Sequence, residues 1–171
     1  MTPRAGDYDA IGRVVAAAFG SSAEAQLVEA VRSSPNYIAE LSLVAEEEGH
    51  IIGHVMVSYA VLHDGDTVHR IMHLSPLAVA PGYQTRGIGS ALVREVTARV
   101  DALDEPFVVL EGSPQFYGRL GFEYSVPYGI FLTLPSWAQP EAAQILRLTN
   151  YDRSLKGRVV YPPAFDNLSE H

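Results

Sequence analysis

The chain has 171 residues, of which 47% are hydrophobic and 19% charged, and this balance favours one folded domain over a disordered segment. Its formal net charge of −8 argues against a nucleic-acid-binding protein, which needs a basic face. No apolar run approaches the roughly 20 residues of a membrane span. There is no cysteine, so disulfides, thiolate metal sites and a cysteine nucleophile are excluded, and a cytoplasmic protein is the expectation.

Two helices are predicted near the start of the chain. Apolar residues recur at helical spacing after Asp7, the expected N-cap, and Gly20 ends this first helix. Ser21 and Glu24 have the spacing of a capping box and open a second helix, which stops at Pro35.

Three strands are predicted to follow as an antiparallel meander. Runs rich in β-branched and aromatic residues cover 41–47, 50–62 and 68–79. Glu48-Gly49 and Asp64-Gly65-Asp66 have the composition of hairpin turns between them.

The second half of the chain alternates between helical and strand patterns. An apolar stripe predicts a helix from Ile88 to about Val100, and Ser113-Pro114 opens a short helix with serine as its cap. Strands are predicted at 107–110, 128–134, 145–148 and 157–161. The order of elements predicts a mixed α/β domain of the α+β kind.

The segment between the third strand and the next helix has the composition of a phosphate-binding loop. Gly87 and Gly89 leave the backbone accessible at a helix N-terminus, and Arg86 adds a formal positive charge. A dinucleotide fingerprint needs a third glycine where Leu92 stands, and a P-loop needs a lysine where Ile88 stands. Neither nucleotide motif is present, and a tight turn without a ligand is the alternative role for the glycines.

Two motifs resemble those of the GNAT N-acetyltransferase superfamily. Gln84-Thr85-Arg86-Gly87-Ile88-Gly89, preceded by Leu77-Ala78-Val79-Ala80-Pro81, resembles the family's acetyl-CoA loop, and Tyr117-Gly118-Arg119-Leu120-Gly121-Phe122 resembles its second signature. The resemblance covers about Arg4 to Tyr124, and 157–165 resemble the tail of one predicted acetyltransferase branch. It implies the acyl-CoA N-acyltransferase fold, with a mixed central sheet, splayed strands and flanking helices.

The resemblance also implies how the chain is divided. One domain over 1–171 is expected, with a core of about 4–124 and C-terminal strands at 125–171 on the acceptor side. The family's first strand is nearly missing, since only Met1 to Ala5 precede the first helix.

The family's cofactor contacts carry over to named positions. The backbone of Leu77 to Val79 would bind the pantetheine arm of acetyl-CoA, the loop amides would bind the pyrophosphate, and Ser113 stands where the family has asparagine. The implied cofactor-binding residues are Leu77, Ala78, Val79, Gln84, Thr85, Arg86, Gly87, Ile88, Gly89, Ser90, Ser113 and Tyr117.

The implied reaction is direct attack of a primary amine on the acetyl thioester. An alkylammonium, with a pKa of about 10.4, must first lose a proton. His73 and Ser75 share a strand face unless a bulge intervenes, and their position resembles a catalytic histidine pair of aralkylamine acetyltransferases. His73 is the preferred base, directly or through water, with a packed histidine as the alternative; His54 and Glu111 are further candidates. Tyr117 is expected to protonate the leaving thiolate, or else to serve as an aromatic wall.

No metal site is expected. His50 and His54 lie roughly 13 Å apart on a strand, too far for one ion. His63 with Asp64 and Asp66 has the composition of a turn.

The acceptor amine and the oligomeric state stay open at this level. Specificity is expected from 19–35 and 124–140, where Phe131 and Trp137 belong either to an acceptor pocket or to the core. A catalytically silent acyl-CoA-binding sensor or partner, and a protein lysine or N-terminal acetyltransferase, are the alternative functions. No nucleic-acid or membrane partner is expected, and edge strands near the C-terminus leave a homodimer open.

Overall fold

The computed structural model describes residues 1–168, with side chains described through Phe165. The helices are α1 (Tyr8–Phe19), α2 (Ala23–Arg32), α3 (Ile88–Ala102) and α4 (Pro114–Gly118). The strands are β1 (Ser42–Glu47), β2 (His50–Asp64), β3 (Thr67–Val79), β4 (Phe107–Glu111), β5 (Glu123–Tyr124), β6 (Ile130–Phe131), β7 (Ala143–Arg147) and β8 (Gly157–Val160). Within the described part of the chain, no helix combines the length and apolarity needed to cross a membrane.

The eight strands form one mixed sheet. Its order is β5-β7-β4-β3-β2-β8-β6, with β1 also paired to β2. The predicted meander β1-β2-β3 is confirmed as antiparallel, and the turn between β2 and β3 is the two-residue Gly65-Asp66. Since β2 is 15 residues long, its first half pairs with β1 and its end pairs with β8 on the same edge.

The strands β3 and β4 diverge after a short parallel contact. Within the described residues they pair at only two positions, Met72 with Val108 and His73 with Val109, although β3 continues to Val79. A bulge lies just beyond, where Met56 of β2 faces both Ser75 and Pro76. The C-terminal half of β3 therefore presents one unpaired edge to a cleft.

Buried side chains pack on both faces of the sheet, following the strand alternation. Val55 and Val57 of β2 pack towards α3, while Met56 between them packs towards α1 and α2. Gly53 allows α3 to approach closely, because a Cβ there would lie 3.0 Å from Leu92 Cδ1. The N-terminus of α3 is thereby fixed against β2, beside the divergent strands.

Both caps predicted at the first helices are wrong. Asp7 is already in the helical region, as the last residue of a 3₁₀ turn, and its carboxylate accepts the N–H of Arg4 instead of a helix amide. Ser22, not Ser21, precedes α2, and Ser21 Oγ accepts the N–H of Ala23 without a capping box. The cap predicted at α4 is confirmed, since Ser113 Oγ accepts the N–H of Phe116 at 3.3 Å.

The C-terminal strands match the prediction only in part. The strand expected at 128–134 is reduced to β6, because 126–128 form a 3₁₀ turn and Gly129 has a φ of 76°. The two residues of β5 carry no recognisable alternation, so this strand was not predicted.

Met1 pairs with the backbone of β1 at one residue. Met1 accepts a hydrogen bond from Val44 N–H at 2.8 Å, and its amino group donates to the Val44 carbonyl at 3.0 Å. The edge of β1 is thus covered at this point.

Candidate functional site

A cavity of about 620 Å³, here called the large cavity, lies between β3, the start of α3 and α4. Eight of the predicted cofactor-binding residues line it: Leu77, Val79, Gln84, Thr85, Gly87, Ile88, Gly89 and Ser90. Five residues that were not predicted as cofactor-binding complete its wall: Tyr83, Arg94, Phe116, Arg119 and Leu120. Arg119 lies inside the second signature, so its charge was the available signal.

The loop before α3 is shaped by left-handed backbone conformations. Gly82, Thr85 and Gly87 have φ values of 90°, 68° and 81°. Gly87 is the N-cap of α3, and its carbonyl accepts the first helical hydrogen bond, from Ala91 N–H at 3.0 Å. The amides that precede Ala91 in the helix have no carbonyl one turn earlier, so they can bind an anion.

Gly89 keeps the large cavity open between β3 and α4. A Cβ at this position would lie 3.5 Å from Phe116 Cζ and 3.6 Å from Leu77 Cδ2. The lack of a side chain therefore lets a ligand approach the helix backbone here.

Two arginines, Arg94 and Arg119, line the large cavity and give it positive charge. Arg86, the arginine singled out from the sequence, points elsewhere: it pairs with Glu47 at 3.8 Å, and its guanidinium lies 5.2 Å from the Tyr83 ring. Because the Arg86–Glu47 pair is exposed, it contributes little to stability.

A second cavity of about 160 Å³, here called the small cavity, lies at the ends of β3 and β4. His73, Leu74 and Ser75 of β3 all line it. Glu111 at the end of β4 joins them, as do Tyr161 and Phe165 from the C-terminal segment.

His73 is held as a neutral ring. Its side chain is 3% exposed, and burial lowers its pKa to about 3. The ring stacks on Tyr161 at a centroid distance of 4.4 Å and lies 4.9 Å from the Phe165 ring. Its Nδ1 is buried without a hydrogen-bond partner among the described residues.

Glu111 carries the formal charge of the small cavity. Its side chain keeps contact with solvent, yet the surrounding protein atoms displace enough water to raise the pKa of its carboxyl. The Tyr161 hydroxyl donates to Oε1 at 2.8 Å and partly opposes this rise. Burial, followed by the Glu111 charge, raises the pKa of Tyr161.

Tyr117 lies against the backbone at the end of β4. A Cβ on Gly112 would lie 2.8 Å from Tyr117 Cδ2, so the ring occupies the space that a side chain there would need. Phe116 and Phe122 contact the ring edge-on, at 4.8 Å and 5.5 Å between centroids. Burial raises the pKa of Tyr117 to about 12, which keeps its phenol protonated.

Tyr117, Arg86 and the remaining predicted site residues line neither cavity of the described chain. Ser113 Oγ is occupied by the α4 cap and donates to Gln115, and the Ala78 side chain is buried with the α1 and α2 cluster. His54 is fully buried, its Nδ1 donates to the Leu43 carbonyl at 2.9 Å, and burial lowers its pKa to about 4.

Phe131 and Trp137 are not core residues. Their side chains are 49% and 75% exposed, so the core alternative for both is wrong. Neither lines the large or the small cavity of the described chain. Among the side chains described, those of residues 1–165, no three histidine, aspartate or glutamate side chains are grouped closely enough to hold a metal ion.

Comparison with known proteins gives the family. The model described as Acetyltransferase (GNAT) domain matches residues 2–125. The chain belongs to the GNAT acetyltransferase family. It is 35% identical over 132 residues, 72% of each chain, to YjhQ of Escherichia coli K12, named an uncharacterized N-acetyltransferase. YhbS of the same strain, named in the same way, is 31% identical over 152 residues, or 88% of this chain and 86% of YhbS.

Solved GNAT structures share the whole fold. The crystal structure of Escherichia coli YhbS in complex with CoA superposes with a TM-score of 0.85 and 27% identity, covering 97% of this chain and 90% of that one. A GNAT family acetyltransferase from Brucella melitensis in complex with acetyl-CoA gives a TM-score of 0.78 and 29% identity, over 97% and 96%. The predicted fold class and the prediction of an acyltransferase are thus confirmed.

Proposed function

We propose that this GNAT acyltransferase moves the acetyl group of acetyl-CoA to a primary amine by direct attack of the amine nitrogen on the thioester carbon. The observation that carries the proposal is the large cavity, where helix amides and two arginines adjoin the unpaired edge of β3. The CoA and acetyl-CoA complexes of the two solved relatives support the choice of cofactor.

The large cavity offers a separate partner to each part of the cofactor. The amides of 84–89 suit the pyrophosphate, and Arg94 and Arg119 offset its negative charge. Leu77 to Val79 have backbone groups that β4 leaves unpaired, and an extended pantetheine arm can satisfy them.

Glu111 is the best-placed proton acceptor for the amine. The prediction that His73 and Ser75 act in catalysis stays a prediction, but an imidazole with a pKa of about 3 is too weak a base for an ammonium. The raised pKa of Glu111 makes its carboxylate a stronger base than an ordinary glutamate. We therefore assign proton removal to Glu111, through water, with Ser75 as a polar contact.

Tyr117 serves the leaving group. Its phenol stays protonated over the physiological range, so it can donate to the sulfur of CoA as negative charge develops there. Gly112 fixes the ring at the end of β4, next to Glu111.

We also propose that the chain works as one domain whose C-terminal part forms the acceptor side. Thr133, Pro135, Tyr161 and Phe165 come from the expected 125–171 extension, and all four line the small cavity. Residues 169–171 lie outside the described part of this extension.

The test combines calorimetry with a thiol-release assay on acetyl-CoA and a panel of amines. Tyr117→Phe is expected to lower kcat at least about tenfold, because one proton donor typically contributes 10²–10⁴-fold, while the Kd for acetyl-CoA is unchanged. Tyr124→Phe removes a phenol of β5 to which no catalytic role is assigned, and it is the matched control.

Two outcomes would contradict the proposal. Absence of binding heat with acetyl-CoA would remove the assigned cofactor. Binding without thiol release for any amine would instead favour a silent acyl-CoA-binding module.

A further inference from the structure

The charged lining of the small cavity is negative. Among the side chains described, through Phe165, Glu111 is the only acidic one that lines it, and no lysine or arginine does. One oxygen of this carboxylate, Oε1, is held by Tyr161, while Oε2 accepts no hydrogen bond from the described residues. A positively charged group can therefore bind to Oε2, whereas an anionic group would find no countercharge.

Two aromatic side chains, Tyr161 and Phe165, also line the small cavity. The rings of Tyr161 and Phe165 pack around His73, and their centroids lie 5.7 Å apart. Ring faces attract cations as well as covering alkyl chains. His73 is 3% exposed, and its buried Nδ1 has no hydrogen-bond partner among the described residues.

The size of the small cavity limits what can enter. Its volume of about 160 Å³ accommodates several water molecules. A short alkyl chain fits this space, and a larger acceptor would have to extend beyond the residues that line it.

We infer that the acceptor is a small free primary amine that enters as a monocation and carries no anionic group beside the amine. This inference rests on the proposed function and adds the substrate class to it. A carboxylate on the carbon next to the nitrogen would lie close to Glu111 without a cation to offset it, so amino acids are rejected by charge.

The step balances without a further reactant. The ammonium gives one proton to the Glu111 carboxylate through water, and its lone pair then forms the C–N bond to the acetyl carbon. The C–S bond breaks, and the sulfur leaves with the bonding electrons. The second proton lost by the nitrogen matches the one taken up by the thiolate, so the products are the N-acetyl amine, free CoA thiol and one released proton.

Three amines test the charge requirement: propylamine, 2-aminobutanoate and 2-aminobutanamide. The last two add a carboxylate and a carboxamide of equal shape to the carbon that bears the nitrogen of propylamine. We expect kcat/KM for propylamine to exceed that for 2-aminobutanoate at least about 30-fold. The kcat/KM for 2-aminobutanamide, whose carboxamide group is uncharged, is expected to lie within about fivefold of that for propylamine. An amide as poor as the acid would show that bulk decides, and an acid as good as propylamine would show that charge does not matter. Either result overturns the inference.

Glu111→Gln tests the residue by a binding readout that does not require turnover. Propylamine titrated into the protein–CoA complex is expected to bind at least about tenfold more weakly to this variant, because the charge is lost at constant shape. Glu46→Gln removes an exposed charge elsewhere and is expected to leave the Kd unchanged. Equal Kd values for Glu111→Gln and the unaltered protein would contradict the assignment.

A lysine-containing pentapeptide separates the size requirement from the proposed function. Turnover of this peptide as fast as propylamine would overturn the small-amine class and leave the acetyltransferase proposal standing. Loss of acetyl-CoA binding, or no turnover with any amine, would be a failure of the proposed function instead.

Discussion

Tyr117 keeps its position because residue 112 has no side chain. The motif Tyr-x-x-x-Gly-Phe indicated the tyrosine, but nothing in the sequence connected it with Gly112, which lies five residues earlier. The connection arises when α4 folds back over the end of β4 and brings the ring onto the Gly112 backbone. A residue with no chemistry of its own thus controls the place of a proposed proton donor.

Gly112→Ala is expected to move the Tyr117 ring. Forcing a methyl group into occupied space costs about 1–3 kcal/mol of unfolding free energy, and we expect kcat to fall at least about tenfold at unchanged acetyl-CoA affinity. Urea unfolding and the thiol-release assay measure the two effects. Gly118→Ala, where a Cβ meets no atom within 4 Å, is the matched control and is expected to leave both values near those of the unaltered protein.

At the scale of elements, the start of α3 depends on two glycines for different reasons. Gly87 needs the left-handed backbone of the N-cap, and a Cβ there would point into open space. Gly89 has an ordinary helical backbone, and a Cβ there would project between β3 and α4. Gly87 also lines the large cavity, so its substitution tests the backbone conformation first, whereas substitution of Gly89 tests the space for the ligand.

Gly89→Ala is expected to fold at least as stably as the unaltered protein, because alanine favours a helix over glycine by up to about 1 kcal/mol. Its affinity for acetyl-CoA is expected to fall about tenfold, because the methyl group narrows the large cavity. Gly87→Ala is expected to lose about 1–2 kcal/mol of unfolding free energy from its left-handed backbone. Chemical denaturation and calorimetry on both variants check the contrast, and a stable Gly89→Ala with full affinity would contradict it.

At the scale of the whole molecule, two buried histidines couple folding to pH. His54 and His73 are neutral in the folded protein, since burial lowers their pKa values from 6.5 to about 4 and about 3. The unfolded chain therefore binds more protons than the folded one below pH 6.5. Above that pH, protonation of the unfolded chain costs the fold no stability. As the pH falls, the free energy of unfolding decreases, down to about pH 4 for His54 and about pH 3 for His73.

We expect the free energy of unfolding to drop steeply between pH 6 and pH 5. One histidine that protonates only on unfolding contributes a slope of about 1.4 kcal/mol per pH unit, so His73→Gln is expected to remove about that much of the slope. Urea titrations at several pH values measure it. His50→Gln, at the exposed start of β2, is the control. Parallel curves for His73→Gln and the unaltered protein would show that His73 takes up a proton in the folded state.

Patterns that are local in the sequence predicted most of the core elements. The meander, α3 and β4 each carry a run of apolar residues with its own period, and turn residues bound them. The caps at Asp7 and Ser21 failed because a preceding 3₁₀ turn and a one-residue offset changed the local backbone. The predicted strands at 145–148 and 157–161 match β7 and β8. The predictions failed at β5 and β6 because strands of two residues are defined by their partners and not by their own pattern.

The sequence by itself determined the family, and it predicted a phosphate-binding loop and a catalytic tyrosine, because each of these motifs consists of neighbouring residues. Only the tertiary structure decided which charges meet. It brought Arg94 and Arg119 to the large cavity in place of Arg86, and it set Glu111 beside Tyr161, fifty residues away in the chain. It also buried His73 so deeply that its basicity is lost. A pKa depends on the water and charges that folding removes or brings near, and the spacing of residues along a chain carries no measure of either.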